Sequence, residues 1–231
     1  MRVVVAALLA LALVTSPAAA DEPHMSDGCG DGLFYVQAQD ETVVSPDPLS
    51  PSFDIDSADV TTVRDIDDTV EGVDFTMDLC GDAVEPESYQ GYTWRWVNEA
   101  GCRLALNYGR ETNVDVPGGV EQPLTLSFTE TCDVEEQTLP IGNEVEDTFS
   151  VKLDPAAVTL DGRQVTIAMR NADLPAEAAH TLVEGTRLAA LTAGARVASG
   201  PTAVFVRDPE YTVHASTGGD SAVGGDWVIG Q

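Results

Sequence analysis

The sequence predicts an all-β protein, a jelly-roll-like sandwich of two antiparallel sheets with at most one short helix. Short stretches of alternating apolar and polar residues recur along the chain, with glycine, proline and aspartate between them. Two of these stretches, residues 102–108 and 124–132, match each other as an antiparallel pair. Only residues 173–185 combine capping residues with a helix-favouring composition. Many short strands separated by turns favour a sandwich over a parallel α/β fold.

The two matching stretches select one register. A chain reversal near Pro117 puts three pairs of residues opposite each other: Leu106 with Phe128, Tyr108 with Leu126, and Cys102 with Cys132. A slip of one residue would turn the apolar side chains of that strand towards solvent, so the apolar pattern and the cysteines support the same register. Four cysteines allow three connectivities. This register favours Cys102–Cys132 and leaves Cys29 to pair with Cys80.

The start of the chain predicts export from the cytoplasm. Residues 1–20 contain one early arginine, an apolar run and small residues before Asp21, which is the pattern of a secretory signal peptide. No other run of about 20 apolar residues follows, so no membrane span is expected. Residues 21–52 are predicted to be an extension and linker with a first strand at 33–37, and residues 53–231 to be the sandwich domain. The predicted product is secreted, disulfide-bonded and monomeric.

The sandwich domain is predicted to be a series of strands with one helix at 173–185. Asp161-Gly162 is typical of a two-residue hairpin and joins two of the strands. An Ala-rich helix is the alternative to strands after residue 186. The strands are expected at 59–66, 72–79, 91–97, 102–108, 124–132, 148–153, 157–160, 164–169, 186–192, 196–198, 203–206 and 227–229.

The charge of the chain argues against two classes of partner. There are 39 acidic and 11 basic residues, which give a formal net charge of −28, and Lys152 is the only lysine. Such a balance repels nucleic acid and anionic membranes, so neither is expected as a partner. Solvated surface charge is the simplest interpretation of the acids. Uncharged glycans are favoured over anionic ones as ligands for the same reason.

Sequence motifs of known catalytic chemistry are absent. There is no nucleophile-elbow, zinc-protease or phosphate-loop pattern, and the three histidines, His24, His180 and His214, are far apart in the sequence. A carboxylate pair for glycoside hydrolysis could be drawn from many of the 39 acids, and nothing selects one. The protein is therefore predicted to be non-enzymatic and without a cofactor. A hydrolase that uses surface carboxylates remains an alternative.

The densest acidic group lies in residues 54–68, and it suggests a metal site. Hard cations such as calcium prefer several carboxylate oxygens together, and Asp54, Asp56 and Asp59 are the candidate ligands. The spacing does not fit the EF-hand loop, which needs a glycine and a distal glutamate at fixed positions. Solvated carboxylates at loops and strand edges are the alternative interpretation.

The most distinctive hexapeptide, residues 92–97, places three aromatic rings on one side of a strand. Side chains alternate along a strand, so Tyr92, Trp94 and Trp96 share a face and Arg95 lies on the other. Such a row is able to stack on sugar rings. Large aromatics also dominate sandwich interiors, so burial in the core is the competing interpretation.

Four segments carry a resemblance to known domains. They are Phe-Asp-Ile-Asp-Ser-Ala-Asp-Val at 53–60, the alternating strand 72–79, the aromatic strand 92–98, and Asp-Ser-Ala-Val-Gly-Gly-Asp-Trp at 220–227. Together they resemble secreted bacterial domains similar to DOMON-type sandwiches and family-nine carbohydrate-binding modules. The resemblance implies a jelly-roll-like pair of sheets, a structural calcium, and in some members a sugar or haem site.

The chain departs from that pattern at two places. Val223 stands where the resemblance leads us to expect proline, and Trp94 and Trp96 lie on one strand instead of enclosing a sugar between them. Fold is therefore implied more firmly than function. The expected function is extracellular binding of carbohydrate or cell-envelope glycan, and a structural or interaction protein of the cell surface is the alternative.

Overall fold

Two antiparallel sheets form the described part of the protein. The computed structural model describes residues 25–38, 41–44, 49–87, 90–110, 112–113, 120–121, 123–133, 146–176, 178, 181–199 and 215–230. The predicted signal peptide, the strand predicted at 203–206 and all three histidines lie outside these residues. No helix among the described residues is long and apolar enough to cross a membrane.

Strands and short 3-10 turns make up the regular structure of this part of the chain. The turns are Pro51–Phe53, Pro155–Ala157 and Asn171–Asp173. The strands are β1 Met25–Ser26, β2 Leu33–Ala38, β3 Glu41–Val44, β4 Ile55–Arg64, β5 Val70–Leu79, β6 Gln90–Val97, β7 Arg103–Gly109, β8 Thr112–Asn113, β9 Val120–Glu121, β10 Thr125–Asp133, β11 Glu146–Leu153, β12 Val158–Asp161, β13 Gln164–Arg170, β14 Arg187–Ser199, β15 Ala215–Val223 and β16 Trp227–Val228.

The smaller sheet has the order β1-β4-β5-β13-β12 and the larger has the order β11-β10-β7-β6-β14-β15-β2-β3. β16 pairs with the start of β14, and β8 and β9 form a separate two-stranded ribbon. All of these pairings are antiparallel. The predicted all-β sandwich is therefore confirmed.

The predicted hairpin register is also confirmed. β7 and β10 pair with Leu106 opposite Phe128 and Tyr108 opposite Leu126. Cys102 and Cys132 follow in the same register and form a disulfide with their Cα atoms 4.3 Å apart. Cys29 and Cys80 form the second predicted disulfide. The hairpin predicted at Asp161-Gly162 joins β12 to β13, with Gly162 and Arg163 as its two turn residues because Asp161 pairs with Gln164. Gly162 has the positive φ of 56° that suits the first position of such a turn.

The core lies between the two sheets, and the aromatic row of β6 is at its centre. Tyr92 and Trp94 are 0% exposed and Trp96 is 2% exposed. The Phe75 ring of β5 packs against both tryptophans, with ring centroids 5.4 Å from Trp94 and 5.3 Å from Trp96. The row therefore joins the sheets and offers no stacking surface to a sugar, so the ligand-binding hypothesis for these three residues is wrong.

Strands upstream of the predicted domain boundary at residue 52 belong to both sheets. β1 pairs with β4 in the smaller sheet, and β2 pairs with β15 in the larger. Met25 of β1 is 1% exposed and is part of the core. A two-residue strand carries almost no alternation signal, because only its partner strand defines it.

The segment predicted to be a helix, 173–185, differs from expectation. Its described residues form successive turns, in which Ala178 N–H donates to Pro175 O and Thr181 N–H donates to Ala178 O. The Thr181 hydroxyl also donates to Ala178 O, at 2.7 Å. This side-chain bond competes with helical backbone bonding. The Ala-rich region that follows is one long strand, β14, with a bulge between Ala189 and Thr192.

Truncation of a central core ring should destabilise the protein strongly. Trp94→Ala should lower the free energy of unfolding by about 3–5 kcal/mol, because it removes a fully buried indole. Trp227→Ala is the matched control and should cost less, since Trp227 is only partly buried at the edge of the core. Urea denaturation monitored by circular dichroism measures both values. A loss below about 1 kcal/mol for Trp94→Ala would contradict the packing described above.

Removal of the hairpin disulfide should also destabilise the fold. Its cysteines are 30 residues apart. In the chain-entropy account, loss of a cross-link that closes a loop of that length lowers the free energy of unfolding by about 3–4 kcal/mol. The double variant Cys102→Ser/Cys132→Ser should therefore show a lower urea midpoint than the parent protein. Peptide mapping of the parent without reductant provides the control, and recovery of Cys102 joined to Cys29 or Cys80 would refute the pairing.

Candidate functional site

The candidate functional site lies on the outer surface of the larger sheet, which faces away from the core. Alternation along β6 turns Tyr92 and Trp94 inward and Thr93 and Arg95 outward. The register then places Thr93 between Asn107 of β7 and Gly194 of β14. We call this surface the polar face, formed by Thr93, Arg95, Arg103, Asn107, Ser127, Thr129, Lys152, Thr192, Arg196 and Ser221.

Charge on the polar face is opposite to that of the whole chain. Four of the 11 basic residues lie on it, and within β6, β7, β10, β11, β14 and β15 no described outward side chain is a carboxylate. At the end of the sheet, Asp133 of β10 pairs with Glu146 of β11. In a chain with 39 acidic residues, the described outward positions of these strands are thus basic or neutral.

The described arginines outside the polar face each form an ion pair with a carboxylate. Their ion pairs are Arg64–Glu184 at 3.0 Å, Arg110–Glu85 at 2.6 Å, Arg163–Asp56 at 3.1 Å, Arg170–Asp74 at 2.6 Å, and Arg187–Asp226. Within the described part of the chain, Arg95, Lys152 and Arg196 of the polar face form no ion pair. These three cations are therefore available to an anionic group from outside.

Two shallow clefts cross the polar face, and Arg95 borders both. One, of about 180 Å³, lies over β6, β14 and β15 and is lined by Thr93, Arg196 and Ser221 among others. The second, of about 460 Å³, lies over β6, β7 and β10. Asp220 also lines the first cleft, but its two carboxylate oxygens accept backbone N–H bonds from Ile55 and Ser221.

Hydroxyl and amide groups lie between the cations of the polar face. The Thr93 hydroxyl donates to Asn107 Oδ1 at 3.0 Å, and the hydroxyls of Thr129 and Ser150 are 3.3 Å apart. Such groups exchange hydrogen bonds readily with the hydroxyls of a ligand. Guanidinium groups with hydroxyl and amide groups between them form a surface suited to a ligand that has both acidic and hydroxyl groups.

The three aspartates predicted to bind a metal are not brought together. Asp56 pairs with Arg163, and Asp59 Oδ1 accepts the backbone N–H of Val60. Asp54 is buried instead, and its Oδ2 accepts the N–H of Gly30 at 2.7 Å. Regular alternation in β4 would place Asp56 and Asp59 on opposite faces of the strand, so proximity in the sequence does not by itself unite these carboxylates. The predicted set Asp54, Asp56 and Asp59 is therefore wrong as a group.

Tyr92 also differs from a ligand-binding aromatic. Its hydroxyl is 3.2 Å from the carbonyl oxygens of both Ser52 and Val84, to either of which it can donate. Burial raises the pKa of Tyr92 to about 12. The hydroxyl is therefore already satisfied inside the protein and stays protonated in the physiological range.

The sequence contains a signal for the polar face that is weaker than the aromatic row on the other side of β6. The outward positions that pair between β7 and β10 are Arg103, Ala105, Asn107 and Gly109 on one strand and Thr125, Ser127, Thr129 and Thr131 on the other. None of them is acidic, although 39 of the 231 residues are.

Comparison of the chain with protein-family models, with curated proteins and with solved structures found no match.

Proposed function

We propose that the protein is a secreted, non-catalytic binding domain that holds an acidic extracellular glycan on the polar face. The observation that carries this proposal is a group of three cations, Arg95, Lys152 and Arg196, that form no ion pair within the described residues. They lie on an open sheet surface, where Asp220 is the carboxylate that borders a cleft and its oxygens already accept backbone N–H bonds. Two disulfides and the signal-peptide pattern support an oxidising, extracytoplasmic location.

A glycan with carboxylate groups matches both components of the polar face. Guanidinium groups bind carboxylates through two parallel hydrogen bonds, and the sugar hydroxyls find partners in Thr93, Asn107 and Ser221. The clefts are shallow and cross several strands, which suits a chain that lies along the surface better than a small molecule enclosed in a deep pocket.

The net charge of −28 opposes an anionic ligand only at long range. Screening limits the interaction between exposed charges to about 8 Å at physiological ionic strength. At contact distance the nearest charges therefore decide, and on the polar face these are cationic. The uncharged glycans expected from composition alone are replaced in this proposal by acidic ones.

Substitution of two cleft arginines should abolish most of the binding. Arg95→Ala/Arg196→Ala should weaken affinity for a carboxylate-bearing polysaccharide such as polygalacturonate by at least about tenfold, since each charge-assisted hydrogen bond contributes about 1.5–3 kcal/mol. Calorimetric titration measures this, with neutral dextran as the ligand control. The affinity of the parent protein should also fall as sodium chloride is added.

A matched variant distinguishes binding at the polar face from a general effect of the protein's net charge on binding. Arg163→Ala removes an arginine of the smaller sheet that is paired with Asp56, and it should bind polygalacturonate as the parent does. Equal losses for Arg163→Ala and the cleft variant would show that net charge, and not the polar face, governs binding. Absence of binding by the folded parent protein to polygalacturonate and to other acidic glycans would overturn the proposal.

A further inference from the structure

Four aspartates from three parts of the chain converge beside the first disulfide. Asp27 and Asp31 follow β1, Asp54 precedes β4, and Asp220 belongs to β15. Single carboxylate oxygens of Asp27, Asp31 and Asp220 all lie within 4.8 Å of one another. Oxygens bound to one calcium ion at 2.3–2.6 Å are at most about 5 Å apart, so this spacing is compatible with ligands of a single ion.

Buried carboxylate oxygens without a partner provide a second, independent observation. Asp54 is 5% exposed, and its Oδ2 is bound by the N–H of Gly30, which lies in the chain between Asp27 and Asp31. The other oxygen, Asp54 Oδ1, is buried with no hydrogen-bond partner among the described residues, and so is Asp27 Oδ2. Leaving such oxygens unpaired is costly, which indicates that a further group belongs beside them.

No cation among the described residues relieves the repulsion between the carboxylates of the cluster. None of the ion pairs in the described residues includes one of the four aspartates. Burial, together with the charges of Asp220 and Asp31, raises the pKa of Asp27 to about 6. Burial also raises the pKa of Asp220, and the charges of Asp31 and Asp54 act in the same direction.

The chain around the cluster is held in place independently of any ion. The Cys29–Cys80 disulfide ties residues 27–32 to the end of β5, and Asp27 N–H donates to Asp56 O at 3.0 Å. Gly32 is packed so closely that a Cβ atom there would lie 2.6 Å from the Leu49 side chain and 3.3 Å from Asp54 Oδ1. The carboxylates are thus positioned by the fold, as a preorganised site requires.

We propose that Asp27, Asp31, Asp54 and Asp220 bind one calcium ion that fastens the N-terminal segment to both sheets. An all-oxygen set of carboxylates without histidine or thiol favours a hard cation. Calcium accepts irregular oxygen geometry, whereas magnesium demands a near-ideal octahedron at shorter distances. Only Asp54 is shared with the set expected from the sequence, and the argument for the ion site does not rest on the proposed glycan binding.

Calcium titration of the chelator-treated full-length protein tests the site. Calorimetry should give one binding event per chain, and calcium should raise the melting temperature more than magnesium at the same concentration. Asp31→Asn alters the exposed member of the cluster, so it should fold and lose most of the calcium response. Asp161→Asn removes an exposed acid at the β12–β13 hairpin and should keep the full response.

A second variant separates loss of binding from loss of folding. Asp54→Asn removes a buried negative charge, so without metal it should melt at or above the temperature of the metal-free parent, while calcium should no longer raise that temperature. Two results would overturn the proposal. One is a metal-free parent that shows neither heat of binding nor a melting shift at millimolar calcium. The other is an equal response of Asp31→Asn and Asp161→Asn, which would indicate only screening of the surface acids.

Discussion

The pairing of β7 with β10 is the constraint on which the rest of the larger sheet depends. It is fixed from two sides, because the Cys102–Cys132 disulfide and the apolar pairs Leu106–Phe128 and Tyr108–Leu126 require the same register. β6 pairs with β7 and β14 pairs with β6, so the inward and outward sets of each strand follow from that first pair. A shift of one residue would bury Arg103 and expose Leu104 and Leu106, and the core rings would lose their partners.

The sequence predicted best those features that depend on neighbouring stretches of the chain. The hairpin register, both disulfides and the Asp161-Gly162 turn were predicted because alternation, cysteine positions and turn chemistry are local signals. The helix at 173–185 was wrong because the Thr181 side chain and the core contacts of Ala178 and Leu182 favour turns. A helix prediction from local composition does not take such tertiary contacts into account.

The candidate sites were harder to predict for a geometric reason. Asp27 and Asp220 are near opposite ends of the chain, so no spacing rule links them, and the predicted set around Asp54 relied on sequence proximity alone. The polar face is assembled from one or two residues of each of six strands, none of which stands out in its own stretch of sequence. The aromatic row attracted a functional interpretation because it is contiguous in sequence, yet its residues are buried. Contiguity of this kind indicates a strand, and tertiary packing decides which of its faces meets solvent.

β15 has a consequence for the two sites taken together. Asp220 belongs to the carboxylate cluster and also borders the first cleft, and the next residue, Ser221, lines the same cleft from the polar face. An ion that immobilises Asp220 would therefore also fix one wall of the cleft, only one peptide unit away. Thermodynamic linkage makes such an effect reciprocal: a glycan that orders this wall would tighten the hold on the ion by the same factor. In a medium of fluctuating calcium concentration, the strand would then make the affinity for the glycan depend on the calcium concentration.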